Sequence, residues 1–227
     1  MKPTSYRGRP LLHLIVLVFV LAAVFYPQGD ISAAPVTIPG LFNTGVDSDG
    51  NKLNDKDPEE NYMLTGAAAA AFVISDGSRP KAWTPSLGQS AWIGPPNGNI
   101  EAPGGDYFYG LTFDLAGLVP STAAISGRWA TDNSSEIFLN DVSTGFTRDL
   151  TGFKPLWDFE IDSDSGRGFL SGENTLTFKV HNLGPGPTGL LVVDLMGTAS
   201  EVPIPGAIWL FGSALMALFG IKRRLGA

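Results

Sequence analysis

His181 is the one histidine outside the apolar N-terminal run, and no Gly-x-Ser-x-Gly sequence accompanies it. A Ser-His-Asp hydrolase would have to use His181. Its place at the end of an alternating stretch, before Asn182, fits an exposed polar residue better. Carboxylates are the other candidate catalysts. Asp158, Glu160 and Asp162 share one face of a strand opposite Trp157, Phe159 and Ile161, which is the pattern of a solvated sandwich face. No catalytic residue is assigned, and a secreted polysaccharide-active hydrolase with paired carboxylates is the alternative reading. Asp47-Ser-Asp49-Gly-Asn51 begins like a calcium loop. Lys52 then stands where glycine is needed, and Pro58 where a bidentate glutamate belongs. With Asp55, Asp57, Glu59 and Glu60 alongside, the stretch reads as an acidic loop, and a structural Ca²⁺ there would need an irregular site. No Gly-x-x-x-x-Gly-Lys occurs, so a phosphate-cradling loop is excluded and no cofactor is expected.

Sugar recognition asks for aromatic faces beside planar polar groups that bond hydroxyls in pairs. Trp83, Trp92, Trp129 and Trp157 are the aromatic stock, with Arg128 as a further polar neighbour. The candidate ligand residues are Trp129, Asp132, Asn133 and Asn140. Trp129 and Arg128 are adjacent in one strand, so one faces the core and the other does not.

The elements that must position these residues are mostly of period two. Tyr107–Leu115, Ala124–Ala130, Glu136–Asn140 and Asn174–His181 read as strands, and Leu190–Met196 as a fully buried one. Asn61–Leu64 and Ala71–Ser75 suggest earlier strands on either side of an alanine run too short to hold a helix alone. The stretches 94–105, 131–135 and 182–189, rich in turn formers, read as loops. Short strands at this spacing predict an all-β sandwich of jelly-roll type.

The chain has 227 residues, 28 glycines, 17 prolines, no cysteine and a formal net charge of −7. Without cysteine there is no disulfide framework, thiolate metal site or cysteine-linked lipid. An acidic chain of pI about 4.7 lacks the basic footprint of a nucleic-acid binder. The apolar residues gather at the ends. Lys2, Arg7 and Arg9 precede an apolar run of 15 residues, Leu11–Phe25, and small residues follow at Ser32-Ala33-Ala34. That is a secretory signal peptide over 1–34, to be read by a Sec-type export machinery and signal peptidase. Residues 35–200 form the exported body, with 9 basic and 20 acidic side chains. In 201–227 a short proline motif leads into an apolar stretch and then Lys222-Arg223-Arg224, fitting a transmembrane helix at about 206–221 with its basic end inside. Both termini then point to the cytoplasm and the body lies outside.

The run Val-Pro-Ile-Pro-Gly-Ala-Ile-Trp-Leu-Phe-Gly-Ser at 202–213 closely resembles the PEP-CTERM sorting tail, in its V-P-x-P-x-A-x-W-L-F-G-S-G variant. The matching positions are Val202, Pro203, Pro205, Trp209, Gly212, Arg223 and Arg224. Two positions depart from the family: Ile204 interrupts the Pro-Glu-Pro motif, and Ala214 replaces a usual glycine. The resemblance implies a substrate of exosortase in a Gram-negative bacterium that makes exopolysaccharide. The precursor would be held in the inner membrane facing the periplasm, and the body then passed to the cell surface or extracellular matrix. A permanently anchored periplasmic binding module is the remaining alternative. Leu41–Thr198, with landmarks at 41–47, 91–95, 107–115, 125–133 and 137–141, also resembles a galactose-binding-like jelly roll. That likeness implies a fold, with carbohydrate or exopolysaccharide as the expected partner.

Overall fold

The computed structural model describes residues 33–67, 70–95, 100–163 and 168–203. Residues 1–32 of the signal peptide expected over 1–34, and the membrane helix expected at 206–221, lie outside the described residues. So do Pro205, Trp209, Gly212, Arg223 and Arg224. Among the described residues no helix is long and apolar enough to cross a membrane.

In chain order the strands are β1 (Pro35–Thr37), β2 (Tyr62–Gly66), β3 (Phe72–Val73), β4 (Ile93–Gly94), β5 (Glu101–Ala102), β6 (Gly105–Asp114), β7 (Ala124–Asp132), β8 (Ser134–Leu139), β9 (Val142–Arg148), β10 (Trp157–Asp162), β11 (Glu173–Asn182), β12 (Gly186–Pro187) and β13 (Gly189–Ser200). One sheet runs β10-β7-β13-β4-β3, with β1 also paired to β13; the other runs β2-β6-β11-β8-β9. From β6 onward the chain passes repeatedly from one sheet to the other. The result is an all-β sandwich of jelly-roll type.

Alternation explains the layering. In β11, Leu176, Phe178 and Val180 are fully buried, while Thr175, Thr177 and Lys179 reach the outer face. In β6, Tyr107, Tyr109, Leu111 and Phe113 point inward in the same way. Between the sheets, aromatic rings in edge-to-face and tilted contact form a continuous column. Trp129 lies 5.5 Å from Phe159, Phe159 5.9 Å from Phe178, and Phe178 6.3 Å from Tyr62. Such pairs add about 0.5–1.5 kcal/mol each beyond area burial. Gly127 allows the column to close, since a Cβ there would stand 3.1 Å from the Phe159 ring. A second, smaller core of Ile74, Trp83, Trp92, Ala130, Leu191 and Val193 covers part of the first sheet's outer face. Its Trp83 and Trp92 rings are 4.3 Å apart.

Three local features differ from the sequence expectations. The segment 131–135 is not an open loop: β7 continues to Asp132 and β8 starts at Ser134. Side-chain bonds among Thr131, Ser135 and Trp129 satisfy its polar groups in place of water. Strand β9 emerges from polar Ser-Thr-Gly-Phe-Thr because it hairpins onto β8 through Asn140 and Asp141, at φ 50° and 63°. Asn and Asp tolerate that left-handed conformation best among residues with a side chain. Finally, the stretches 94–105 and 182–189 contain the short β5–β12 ladder.

The first and last strands of the body are neighbours. Pro35, Val36 and Thr37 pair with Ser200, Ala199 and Thr198, so the chain enters and leaves the sandwich at one corner. Beyond β13, Glu201 bridges Leu118 and the Val202 N–H donates to the Gly117 carbonyl at 2.9 Å. Phe178→Ala, which cuts the middle of the ring column, is expected to lower unfolding free energy by about 3–5 kcal/mol. Thr177→Ala on the outer face should change it by less than about 0.5 kcal/mol. Urea denaturation of the two variants tests this assignment of inner and outer faces.

Candidate functional site

The residues nominated from sequence do not gather at one place. Trp129 is fully buried in the ring column, its indole N–H directed to the Ser135 hydroxyl, so it presents no face to a ligand. Asp132 is also buried; its carboxylate accepts the Trp83 indole N–H at 2.8 Å and the Asn133 amide. The Asn133 side-chain carbonyl in turn accepts the Leu183 N–H at 2.9 Å. Asn140 sits at the opposite end of β8, about 17–20 Å away for a strand of six residues. Its side chain donates to the Gly168 carbonyl and Asn174 and accepts from the Thr175 N–H, each at 2.9 Å. These contacts make Asn140 the clasp of a hairpin. Trp83 and Trp92 are core residues too, and only Trp157 of the four is substantially exposed, at 43%, with the Arg148 guanidinium stacked 4.2 Å from its ring.

The acidic loop is similarly self-contained. Asp47 accepts the Asp49 and Asn51 N–H groups at 2.9 and 2.8 Å, which hold its carboxyl below the usual range. Asp57 caps Asn54, and Asp55 receives the Ser75 hydroxyl. Among the described residues no group of three or more His, Asp or Glu side chains is placed to hold a metal ion.

A groove of about 460 Å³ instead opens on the outer face of the first sheet, across β10, β7 and β13. The ladder brings its walls together: Asp158 lies opposite Arg128, and Glu160 opposite Ser126. On the other side Met196 lies opposite Ser126. A register shift between Val193 and Met196, with Asp194 at φ 54°, turns the Asp194 carboxylate toward Arg128. Arg128 Nε donates to Asp194 Oδ2 at 2.9 Å, and Nη2 donates to the same oxygen. Phe146 and Phe159 form the floor, and Met196, 59% exposed, forms an apolar wall. Asp158 and Glu160 have no ion-pair or hydrogen-bond partner among the described residues. The groove therefore offers carboxylate acceptors directly beside a fixed guanidinium, with Met196 as its exposed apolar surface. Such a surface can exchange water for hydroxyl-rich ligands. Sequence reading separated Arg128 from Trp129 and grouped Asp158 with Glu160, but the register joining them is tertiary.

His181 lies on the outer face of the other sheet. Its Nδ1 is 2.7 Å from Asp106, whose second oxygen holds Lys179 Nζ at 3.0 Å. The hydrogen bonds from His181 and Lys179 keep the Asp106 carboxyl below its usual range. Ser134 stands opposite His181 in the ladder, but no hydrogen bond joins their side chains. With Lys179 sharing Asp106, the group is an ion-paired surface cluster, not an activated serine.

No protein-family model matches the chain, and no curated protein matches it. Solved structures to which the chain is similar include three of low identity. TmCBM61 in complex with beta-1,4-galactotriose is 12% identical, covering 60% of this chain and 86% of its own, at a TM-score of 0.38. A family 35 carbohydrate binding module from Clostridium thermocellum is 13% identical, covering 74% and 100%, at 0.33. A cyclase from Fischerella sp. TAU is 12% identical, covering 75% and 100%, at 0.40. Overlap at this level carries no information about ligand or reaction.

Two carboxylates are displaced upward by burial: Glu59, to about 7, and Asp132, to about 6. Both brace loops, and neither opens on the groove. Because its folded pKa lies above the ordinary value of 3.8, Asp132 favours folding most below about pH 4. That contribution is lost as pH rises through about 6. Asp132→Asn removes the titration. Its stability relative to the parent chain should therefore rise by about 2 kcal/mol between about pH 4 and pH 8, read by urea denaturation at both.

Proposed function

We propose that the chain is an exported, non-enzymatic surface or matrix protein whose body binds carbohydrate in the groove between β10, β7 and β13. A signal peptide over 1–34 delivers it, and a tail over 201–227 holds it in the inner membrane until exosortase acts near Pro203–Pro205. The carbohydrate reading is carried by one observation: the Arg128–Asp194 pair stands directly beside the free carboxylates Asp158 and Glu160, with exposed Met196 in the same groove. Planar acceptors and donors of both kinds, set over apolar surface, suit a sugar's hydroxyls and its C–H face. Asp158 and Glu160 project side by side from one strand, not from opposite walls that would flank a glycosidic bond, which supports binding over hydrolysis. Support for the sorting reading comes from the tail resemblance at 202–224.

On a glycan array, the full-length chain in detergent should give sugar-dependent binding. Arg128→Ala and Asp158→Ala should each weaken it about tenfold, or about 1.4 kcal/mol. Absence of any sugar-dependent signal would sink the binding reading. Release of reducing ends that vanishes on Glu160→Ala would replace it with a hydrolase. For sorting, membrane and extracellular fractions are to be compared with and without exosortase. Loss of the tail only where the enzyme is present is the expected result, and an intact tail in both strains would leave a permanently anchored module.

A further inference from the structure

Strand β13 changes its inner positions halfway along. Leu190 and Val192 point into the main core, whereas beyond the register shift it is Leu195 and Ala199 that do so. Alternation has a period of two, so a change from even to odd positions needs one extra residue. Val193 pairs with Arg128 and Met196 with Ser126, which leaves Asp194 and Leu195 together against Gly127. The extra residue is Asp194, exposed on the outer face. The bulge is held from both sides. Leu195 N–H donates to Asn43 Oδ1 at 2.9 Å, and a Cβ on Gly127 would stand 3.3 Å from Leu195 Cα.

Aspartate is an unfavourable choice for this backbone. Its φ is 54°, in the left-handed region that disfavours a side chain. At the other left-handed positions within strands, among the described residues, the chain has Gly66, Gly105 and Gly145. Nor does its ion pair compensate in folding. The Arg128 and Asp194 side chains are 38% and 58% exposed, and exposed pairs contribute little to stability. What the carboxylate does is fix Arg128. Nε and Nη2 both donate to Oδ2, and Nη1 has no hydrogen-bond partner among the described residues. A guanidinium is planar with five N–H donors, so fixing one edge sets the direction of the others. Asp158, without an ion-pair partner, lies opposite Arg128 in the ladder.

We propose that Asp194 is the positioning residue of the carbohydrate groove. It holds the Arg128 guanidinium ready to donate to one of two adjacent hydroxyls of a neutral saccharide, and Asp158 accepts from the other. The inference rests on the carbohydrate reading and adds the charge class of the ligand, since unpaired Asp158 and Glu160 repel an anionic sugar.

The test is titration calorimetry on the full-length chain in detergent, with galactotetraose and mannotetraose as neutral probes and tetragalacturonate as the anion. A neutral probe should bind, and tetragalacturonate should be at least about tenfold weaker at about 50 mM salt. Asp194→Gly removes the carboxylate and relieves the backbone. It should weaken neutral binding about tenfold while the urea midpoint stays level or rises. Asp194→Asn keeps one acceptor oxygen and should lose less than about threefold. Combined with Arg128→Ala, Asp194→Gly should add no further loss, because it acts through that guanidinium. Without any ligand, nitrogen-15 relaxation of Arg128 Nε should report a rigid group in the parent chain and a mobile one in Asp194→Gly. Full affinity in Asp194→Gly, a lowered midpoint alongside lost binding, an equally rigid Arg128, or tighter binding of tetragalacturonate would overturn the inference and leave the groove's carbohydrate reading in place. Losses that multiply to about a hundredfold in the double variant would do the same. A parent chain that binds no glycan, here or on the array, removes the carbohydrate reading itself and this inference with it.

Discussion

The ring column from Tyr62 through Phe178 and Phe159 to Trp129 is the contact on which the rest of the sandwich depends. These residues come from β2, β11, β10 and β7, so the column ties both sheets together near their middle. Once it is formed, alternation along each strand is no longer free. A slip of one residue in β7 would put Arg128 into the core and Trp129 into water. The same lock places Asp158 and Glu160 outside, because Phe159 between them must face inward. The chemistry of the outer surface is therefore a consequence of how the inside packs.

The two outer faces then diverge for electrostatic reasons. On the first sheet, a register shift in β13 brings Asp194 to Arg128 and leaves Asp158 and Glu160 without an ion-pair partner among the described residues. On the second, Asp106 is saturated by Lys179 and His181. Exposed ion pairs of this kind contribute little to folding, with a median of about 0–1 kcal/mol. Their effect is to hold side chains in fixed positions on a surface. By contrast the buried carboxylates, Glu59 and Asp132, serve loop bracing, and their upward shifts mark burial and not catalysis.

Much of the body's architecture was legible beforehand. The alternation in Asn174–His181 and the aromatic run at Tyr107–Leu115 announced two central strands, and the unbroken apolar Leu190–Met196 announced a buried one. Strand β9 was not legible, since Ser-Thr-Gly-Phe-Thr is largely polar, is interrupted by glycine and lacks strong alternation. It is held by the Asn140-Asp141 turn and by pairing with β8, both of which lie outside its own sequence. The site was less legible than the fold. Trp129, Asp132, Asn133 and Asn140 have residue types suited to sugars, yet burial removes the first two from solvent. Hydrogen bonding within the fold occupies the others.

Sequence alone determined the all-β class, the acidic body, the exclusion of cysteine and phosphate-loop chemistry, and the expectation of export and sorting at the two ends. These follow from composition and local periodicity, which a linear chain carries intact. Only the tertiary structure decided which polar residues meet. Arg128 and Asp194 are 66 positions apart, and Asp106 and His181 are 75 apart. Each pair forms because strand register is set by the packing of the inner face. A side chain's own neighbours in sequence carry no record of that register.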